Sequence, residues 1–166
     1  MNKQATFIEI IEKYKGILYK VITMYCTDDD DKKDLEQEIL IQIWKSLDTY
    51  NDTYAMTTWL YRISMNVAIS HYRKTFKKKD NTIRLDTGLL EFTPAPDTSE
   101  GSYEQDLLQK LLAELNEFDK ALIFLYLEDK DYEVIARILG ISKTNVATKI
   151  NRIKNRWKQQ LSSTKK

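Results

Sequence analysis

An aromatic, a cationic and an amide side chain recur at helical spacing in the stretch TTWLYRISMN, residues 57–66. Trp59, Arg62 and Asn66 lie three and four residues apart, so they share one face if the stretch is helical. An aromatic ring can stack on an unpaired base and a cation can hold phosphate, which is the chemistry of single-stranded nucleic-acid binding. The alternative is that Trp59 is a core residue beneath the preceding loop.

A second candidate site lies in YEVIARILGISKTNVATKIN, residues 132–151, which has the layout of a helix-turn-helix. Ala136 is small where two helices would cross, Gly140 suits the left-handed end of the first helix, and Ser142 can cap the second. The second helix carries polar and basic residues suited to a DNA major groove: Lys143, Thr144, Asn145, Thr148, Lys149 and Arg152. A helical hairpin with a basic solvent face is the alternative.

Apolar residues at helical intervals predict the elements that position these side chains. The predicted helices cover about 7–26, 35–47, 57–76, 103–114, 117–127, 131–138 and 143–161. In the third helix, Leu60, Ile63 and Val67 form the predicted buried stripe. Charge, Gly, Pro and Ser without a sustained period indicate a linker at 79–102. The predicted fold is therefore all-α, with two small helical modules, 1–78 and 103–166, joined by a flexible linker, and a helix-turn-helix in the second.

Charge is unevenly distributed along this chain of 166 residues, although its net charge is only +1. Residues 134–166 contain nine Lys or Arg and no acid, residues 61–79 contain six cations and no acid, and DDDDKKDLEQE is strongly acidic. The basic blocks favour a nucleic-acid partner, and solvated faces are the alternative. The single Cys26 and the absence of a signal-peptide pattern favour a cytoplasmic protein, and the longest apolar run, ALIFLYL, predicts no membrane insertion.

Two motifs together with the helix-turn-helix extend the interpretation. DLEQEILIQIW, residues 34–44, precedes TWLYRISMN, residues 58–66, and the helix-turn-helix follows downstream. In this order they resemble the extracytoplasmic-function (ECF) sigma factors of bacterial RNA polymerase. The resemblance covers roughly 5–78, the linker, and 103–161. It implies a promoter-specificity subunit with no catalytic residue, cofactor or metal.

The family resemblance also assigns roles to residues. It implies that the first module binds core polymerase, through the β′ clamp helices and the β subunit, and melts the −10 element, while the second reads the −35 element. The residues implied to bind polymerase are Asp34, Leu35, Gln37, Glu38, Ile41 and Trp44. The alternative is that Ile41 and Trp44 are core residues and that the acids are solvated. Those implied to bind DNA in the first module are Asn51, Asp52, Tyr54, Trp59, Arg62, Asn66, Arg73 and Lys74. An anti-sigma factor is a further partner that the family often uses, although no residue here indicates one.

One position departs from the family pattern, and the residues leave three other classes of protein open. Ser70 stands where family members commonly carry an acid, and its neighbour His71, the only histidine, is expected to be exposed. The acidic run could suggest metal-dependent phosphoryl chemistry, but no phosphate-binding glycine loop or nucleophile–base pair accompanies it. The alternative function is a helix-turn-helix regulator that binds operator DNA without joining polymerase. The third alternative is a structural or adaptor protein whose basic helices bind other proteins.

Overall fold

The computed structural model describes residues 2–80 and 103–164, and within these ranges the chain is helical and contains no strand. The helices are α1 (Lys3–Tyr25), α2 (Asp29–Ser46), α3 (Met56–Asp80), α4 (Tyr103–Ala113), α5 (Glu117–Leu127), α6 (Tyr132–Leu139) and α7 (Lys143–Thr164), with a short 3-10 helix at Leu47–Thr49. The chain divides into two compact units, Met1–Glu100 and Gly101–Lys166. The predicted all-α fold is confirmed. Helix α3 continues to Asp80, past the predicted end of the first module, and the rest of the predicted linker lies outside the described residues.

The first unit is built by α3 packing against both α1 and α2, which also pack on each other. Asn2 caps α1, because its side chain accepts a hydrogen bond from the Gln4 amide at 3.0 Å. At the start of α2, Asp28 makes no side-chain cap hydrogen bond. The aspartates of its first turn instead place negative charge at the positive end of the helix dipole.

The core of the first unit includes one apolar stripe of α2, and on α3 it differs from the predicted stripe. Leu35, Ile39 and Ile43 of α2 are completely buried, as their spacing indicates. On α3, Leu60 is buried, but Ile63 and Val67 are only half-buried. The side of α3 that packs against α1 and α2 is rotated away from that stripe, and besides Leu60 it takes in Tyr61, Ser64, Met65, Ala68 and Ile69. The prediction that Ile63 and Val67 are core residues is therefore wrong.

The second unit contains the predicted helix-turn-helix, formed by α6 and α7 and packed on α5. Gly140 has φ +71°, and its amide donates to the Ala136 carbonyl at 2.9 Å, which ends α6 in a left-handed turn. The Ser142 hydroxyl accepts a hydrogen bond from the Asn145 amide at 3.1 Å and caps α7. Ile135, Val146 and Ile150 are completely buried between the helices. The predicted turn glycine and cap are confirmed.

Candidate nucleic-acid and polymerase interfaces

One side of α3 carries the polar residues expected to bind an unpaired strand. We call Trp59, Arg62, Asn66, Arg73 and Lys74 the α3 strip. All except Trp59 are exposed, whereas the opposite side of the helix is packed against α1 and α2. The side chains of residues 77–79, expected to extend this basic field, lie outside the described part. The strip thus offers one aromatic ring followed by three cations and an amide along a single helix.

Trp59 is half-buried, and a loop residue accounts for its cover. The ring of Tyr50 lies against its indole with centroids 4.9 Å apart and planes at 49°. The Tyr50 hydroxyl donates to the Tyr54 carbonyl at 2.9 Å. Burial raises the pKa of this hydroxyl, and nearby Asp52 adds to the rise, so it keeps the proton it donates. Trp59 therefore supports the loop and is also partly accessible to solvent. It combines features of both alternatives, the core residue and the surface residue.

The loop itself keeps its three candidate residues at the surface. Asn51, Asp52 and Tyr54 are all exposed, and 40% of Tyr54 is accessible. The Asn51 side-chain oxygen accepts from the Thr53 amide at 3.3 Å, a local turn contact. The three residues lie five to eight residues before Trp59, in the loop that follows Tyr50.

A second surface runs along α2. We call Asp34, Gln37, Glu38, Ile41 and Trp44 the α2 side, and all five are exposed. Ile41 is 53% and Trp44 39% accessible. Trp44 also packs edge-on against Phe7 at 5.3 Å, and the Lys3 ammonium lies 4.6 Å from its ring. Trp44 is thus a partly supported surface aromatic, the type of side chain that anchors many protein interfaces.

Leu35 was also expected to bind polymerase, but it does not belong to the α2 side. It is completely buried and faces the core between α2 and α3. The prediction that Leu35 contacts polymerase is therefore wrong, because no part of its side chain reaches solvent in this fold. It supports the surface from beneath.

The α2 side and the α3 strip meet at a groove of about 430 Å³. Its walls come from both helices: Glu38, Ile41 and Gln42 on α2, and Ile63, Asn66, Val67, Ser70 and Lys74 on α3. Half-buried Ile63 and Val67 supply its apolar part. The α2 side and the α3 strip, which were inferred from separate sequence motifs, are therefore neighbouring surfaces of one unit.

His71 lies in the contact between α2 and α3 instead of at the surface. Its side chain is only 12% accessible, and its Nδ1 lies 3.5 Å from the Glu38 carboxylate. Its Nε2 is buried and has no hydrogen-bond partner among the described residues. The expectation of an exposed His71 is wrong, because the α3 turn that carries it packs against α2.

The recognition surface of the second unit is on α7. We call Lys143, Thr144, Asn145, Thr148, Lys149 and Arg152 the α7 face, and all except Lys149 are exposed. Lys149 is half-buried, with its ammonium 3.8 Å from a carboxylate oxygen of Asp119 and 5.3 Å from the centroid of the Phe118 ring. Lys143 forms a more exposed ion pair with Glu133 of α6 at 3.7 Å. The buried side of α7 is formed by Val146, Ile150 and Ile153, and Trp157 further along the helix is half-buried.

The acidic run at the start of α2 does not form a metal site. In the described ranges, no three acidic, histidine or cysteine side chains are placed to hold a metal ion together. None of the helices described is long and apolar enough to cross a membrane.

Comparison with protein families matches both units. The model of Sigma-70 region 2 matches residues 10–77, and the model of Sigma-70, region 4 matches residues 105–156. The first match contains the α2 side and the α3 strip, and the second contains the helix-turn-helix. The fold and its surfaces thus define a protein with regions 2 and 4 of a sigma-70 factor.

Individual relatives extend along nearly the whole chain. The ECF RNA polymerase sigma factor SigW of Bacillus subtilis (strain 168) is 25% identical over 170 residues, covering 95% of this chain and 90% of the relative. RNA polymerase sigma factor SigV of the same strain is 28% identical over 151 residues, covering 90% and 87%. The chain belongs to the ECF sigma factors, and its function is that of an RNA polymerase sigma factor in transcription initiation.

Solved structures share the fold. The sigma factor RpoE of Bartonella quintana, in a complex with the anti-sigma factor NepR, aligns with a TM-score of 0.68 and 20% identity over 96% of both chains. CnrH, in a complex with the cytosolic domain of CnrY, aligns with a TM-score of 0.65 and 18% identity over 96% of this chain and 90% of CnrH. The two-unit helical architecture is therefore shared by proteins of low sequence identity.

Proposed function

We propose that this sigma factor divides initiation among three surfaces. The α3 strip and its loop capture the melted −10 element, the α7 face reads the −35 element as duplex, and the α2 side binds the core enzyme. The observation that carries the proposal is the groove between α2 and α3, because it joins the polymerase-binding side to the single-strand strip. In this division, region 2 corresponds to residues 1–78 and region 4 to residues 103–166.

The energetics of melting support the role of the α3 strip. Opening one base-pair step costs on the order of 1.4 kcal/mol in lost stacking. Stacking on an aromatic side chain returns about 1–3 kcal/mol per base, and exposed Arg62 and Lys74 attract the strand's phosphates. Trp59 is only half-buried against Tyr50, so part of its side chain remains accessible to a base. A few captured bases can therefore offset local melting when polymerase contacts supply the rest.

The helix geometry supports the role of the α7 face. Its first turn carries Lys143, Thr144 and Asn145, which are exposed at the positive end of the helix dipole. Amide and hydroxyl groups can pair with base edges, while lysine and arginine can contact bases or phosphate. The α6–α7 turn is closed by Gly140 and Ser142, so the recognition helix is held at a defined angle.

The composition of the α2 side supports a protein partner. Apolar Ile41 and Trp44 are accessible among acid and amide groups, which resembles the aromatic-rich centre and polar rim of interfaces. By the family resemblance, the partner surface is the β′ clamp helices, with the β subunit as a further contact. The chain acts as a dissociable subunit and does not itself catalyse a reaction. We place it in the cytoplasm with the polymerase, and an anti-sigma factor that covers the α2 side is a partner consistent with the similar RpoE, which was solved in a complex with the anti-sigma factor NepR.

Reconstitution with core polymerase tests the proposal. The protein is expected to co-elute with core enzyme in gel filtration and to direct initiation from a subset of genomic promoters. Ile41→Asp changes an exposed residue with little effect on folding, and it is expected to weaken co-elution about tenfold because it places a charge in an apolar contact. Gln4→Asp, exposed on α1, is the control. A protein that binds promoter duplex but never co-elutes would be an operator-binding regulator instead.

A further inference from the structure

Lys149 differs from the other residues of the α7 face because a neighbouring helix holds its side chain. Its ammonium lies 3.8 Å from Asp119 and 5.3 Å from the ring centroid of Phe118, both on α5. Its side chain is 40% accessible, against 63% for Lys143. The position of this cation is therefore set by α5 as well as by its own helix.

Asp119 occupies a basic environment. It lines a cavity of about 220 Å³ together with Lys149, Arg152, Ile153 and Arg156 of α7. Its side chain is 19% accessible, and its Oδ1 is buried without a hydrogen bond among the described residues. Its backbone amide donates to the Asn116 side chain at 2.8 Å, which fixes it in the first turn of α5. A single carboxylate is thus held among three cations of the recognition helix.

We propose that Asp119 is a specificity-determining residue that acts through Lys149, and this inference rests on the proposed DNA-binding role of α7. By holding Lys149 and offsetting one positive charge, Asp119 lowers the attraction of the α7 face for any phosphate backbone. A uniform loss of phosphate attraction would leave the ratio of promoter to non-promoter binding unchanged, because phosphate contacts carry no sequence information directly. The ratio rises because the held Lys149 ammonium meets a phosphate only in the register that the base contacts set, so the carboxylate lowers non-promoter binding more than promoter binding.

The test compares Asp119→Asn with wild type in the full-length protein. Binding is measured to a promoter duplex mapped by the transcription assay and to a scrambled duplex, at several salt concentrations. Asp119→Asn is expected to bind the scrambled duplex several-fold more tightly, to lower the promoter-to-scrambled ratio, and to steepen the salt dependence by up to about one phosphate contact. Glu114→Gln is the matched control, because it also removes one negative charge from the second unit. Glu114 accepts a hydrogen bond from Gln160, which is not one of the residues of the α7 face.

A second pair of variants tests the route through Lys149. In a Lys149→Ala background, Asp119→Asn is expected to change scrambled-duplex binding by less than half as much as in wild type. The inference is overturned if Asp119→Asn matches Glu114→Gln, or if it alters preference at one base pair with no change in salt dependence, since Asp119 would then read a base directly. If wild type does not distinguish the two duplexes and Arg152→Ala has no effect, the proposed role of α7 falls as well. Circular dichroism and melting temperature check that each variant is folded.

Discussion

The two surfaces proposed to bind DNA are supported by different kinds of contact. In the first unit, an aromatic contact with Tyr50 holds Trp59, and the cations of the α3 strip are exposed. In the second unit, acids of the preceding helices hold two of the lysines: Glu133 contacts Lys143, and Asp119 contacts Lys149. The α3 strip thus has an aromatic contact at its ring, and the α7 face has ion pairs at two of its lysines.

This difference fits the two forms of DNA they are proposed to bind. A duplex presents phosphates at fixed spacing, so cations that are already positioned lose little freedom on binding. An unpaired strand has no fixed shape, and what distinguishes it from duplex is the exposed face of each base, which an aromatic ring recognises. We therefore expect the first surface to depend on stacking, and the second to depend on charge and salt.

The largest expected effect tests the stacking surface. Trp59→Ala should reduce open-complex formation by about tenfold or more, since about 1–3 kcal/mol of stacking per base is lost. Permanganate footprints of unpaired thymines measure the effect. Trp59→Phe, which keeps a ring against Tyr50, should retain much of the wild-type activity, and both variants should co-elute with core polymerase. Unchanged footprints in Trp59→Ala would show that the indole serves only to support the loop.

The charge-dependent surface is tested by Arg152. Arg152→Ala should weaken binding to promoter duplex by about tenfold and reduce the salt dependence by about one phosphate contact. If Arg152 pairs with a base instead, the loss should be confined to one position of the sequence. Lys158→Ala is the control, because Lys158 is exposed six residues further along α7 and so lies on another side of the helix. Equal losses in the two variants would indicate a general charge effect and no defined face.

The sequence predicts most of what lies along a single helix. Apolar spacing gives α2 its buried Leu35, Ile39 and Ile43, and the pattern from Ala136 to Ser142 gives the helix-turn-helix its glycine turn and its cap. These features depend on neighbours within a few residues, and local backbone rules govern them. The sites on exposed faces of α2, α3 and α7 could be proposed for the same reason.

Contacts between helices could not be predicted in the same way. Tyr50 against Trp59, His71 beside Glu38, and Asp119 beside Lys149 each join residues whose meeting depends on how two elements pack. Helical periodicity assigns a residue to a face but does not say which side chain of a neighbouring helix reaches that face. The half-burial of Ile63 and Val67 has the same origin, because the packing of α3 on α1 and α2 decides which of its sides is buried, and it leaves these two residues at the edge of that side.

The cores of the two units differ in a way that pH should reveal. Thr23 and Ser64 are buried in the first unit, whereas the second buries Lys120, which is 5% accessible. Burial lowers the pKa of the Lys120 ammonium to about 8, against a smaller opposite effect of Glu117. Unfolding restores a pKa near 10.5, so the unfolded chain binds more protons between pH 8 and 10.5, and stability rises with pH in that window. We expect the free energy of unfolding of the second unit to rise by about 1 kcal/mol from pH 7 to 9.

Tryptophan fluorescence can follow each unit separately, because Trp157 is the only tryptophan of the second unit. Denaturant unfolding of a Trp44→Phe, Trp59→Phe variant then reports the second unit alone. Lys120→Met, which retains an apolar side chain of similar length, should remove the rise with pH. If the free energy of unfolding of the Lys120→Met variant still rose with pH, a group other than Lys120 would cause the rise.

The smallest expected effect concerns the exposed ion pair of Glu133 with Lys143. Their side chains are 65% and 63% accessible, so solvent screens the pair, and such pairs contribute about 0–1 kcal/mol. Glu133→Gln should therefore leave the melting temperature nearly unchanged and tighten duplex binding no more than about twofold, at low salt only. Asp119→Asn, at a position only 19% accessible, should have the larger effect in the same assay. If Glu133→Gln changed duplex binding as much as Asp119→Asn or more, net charge alone would explain both results. Burial of the acid would then have no influence on the DNA affinity of the α7 face.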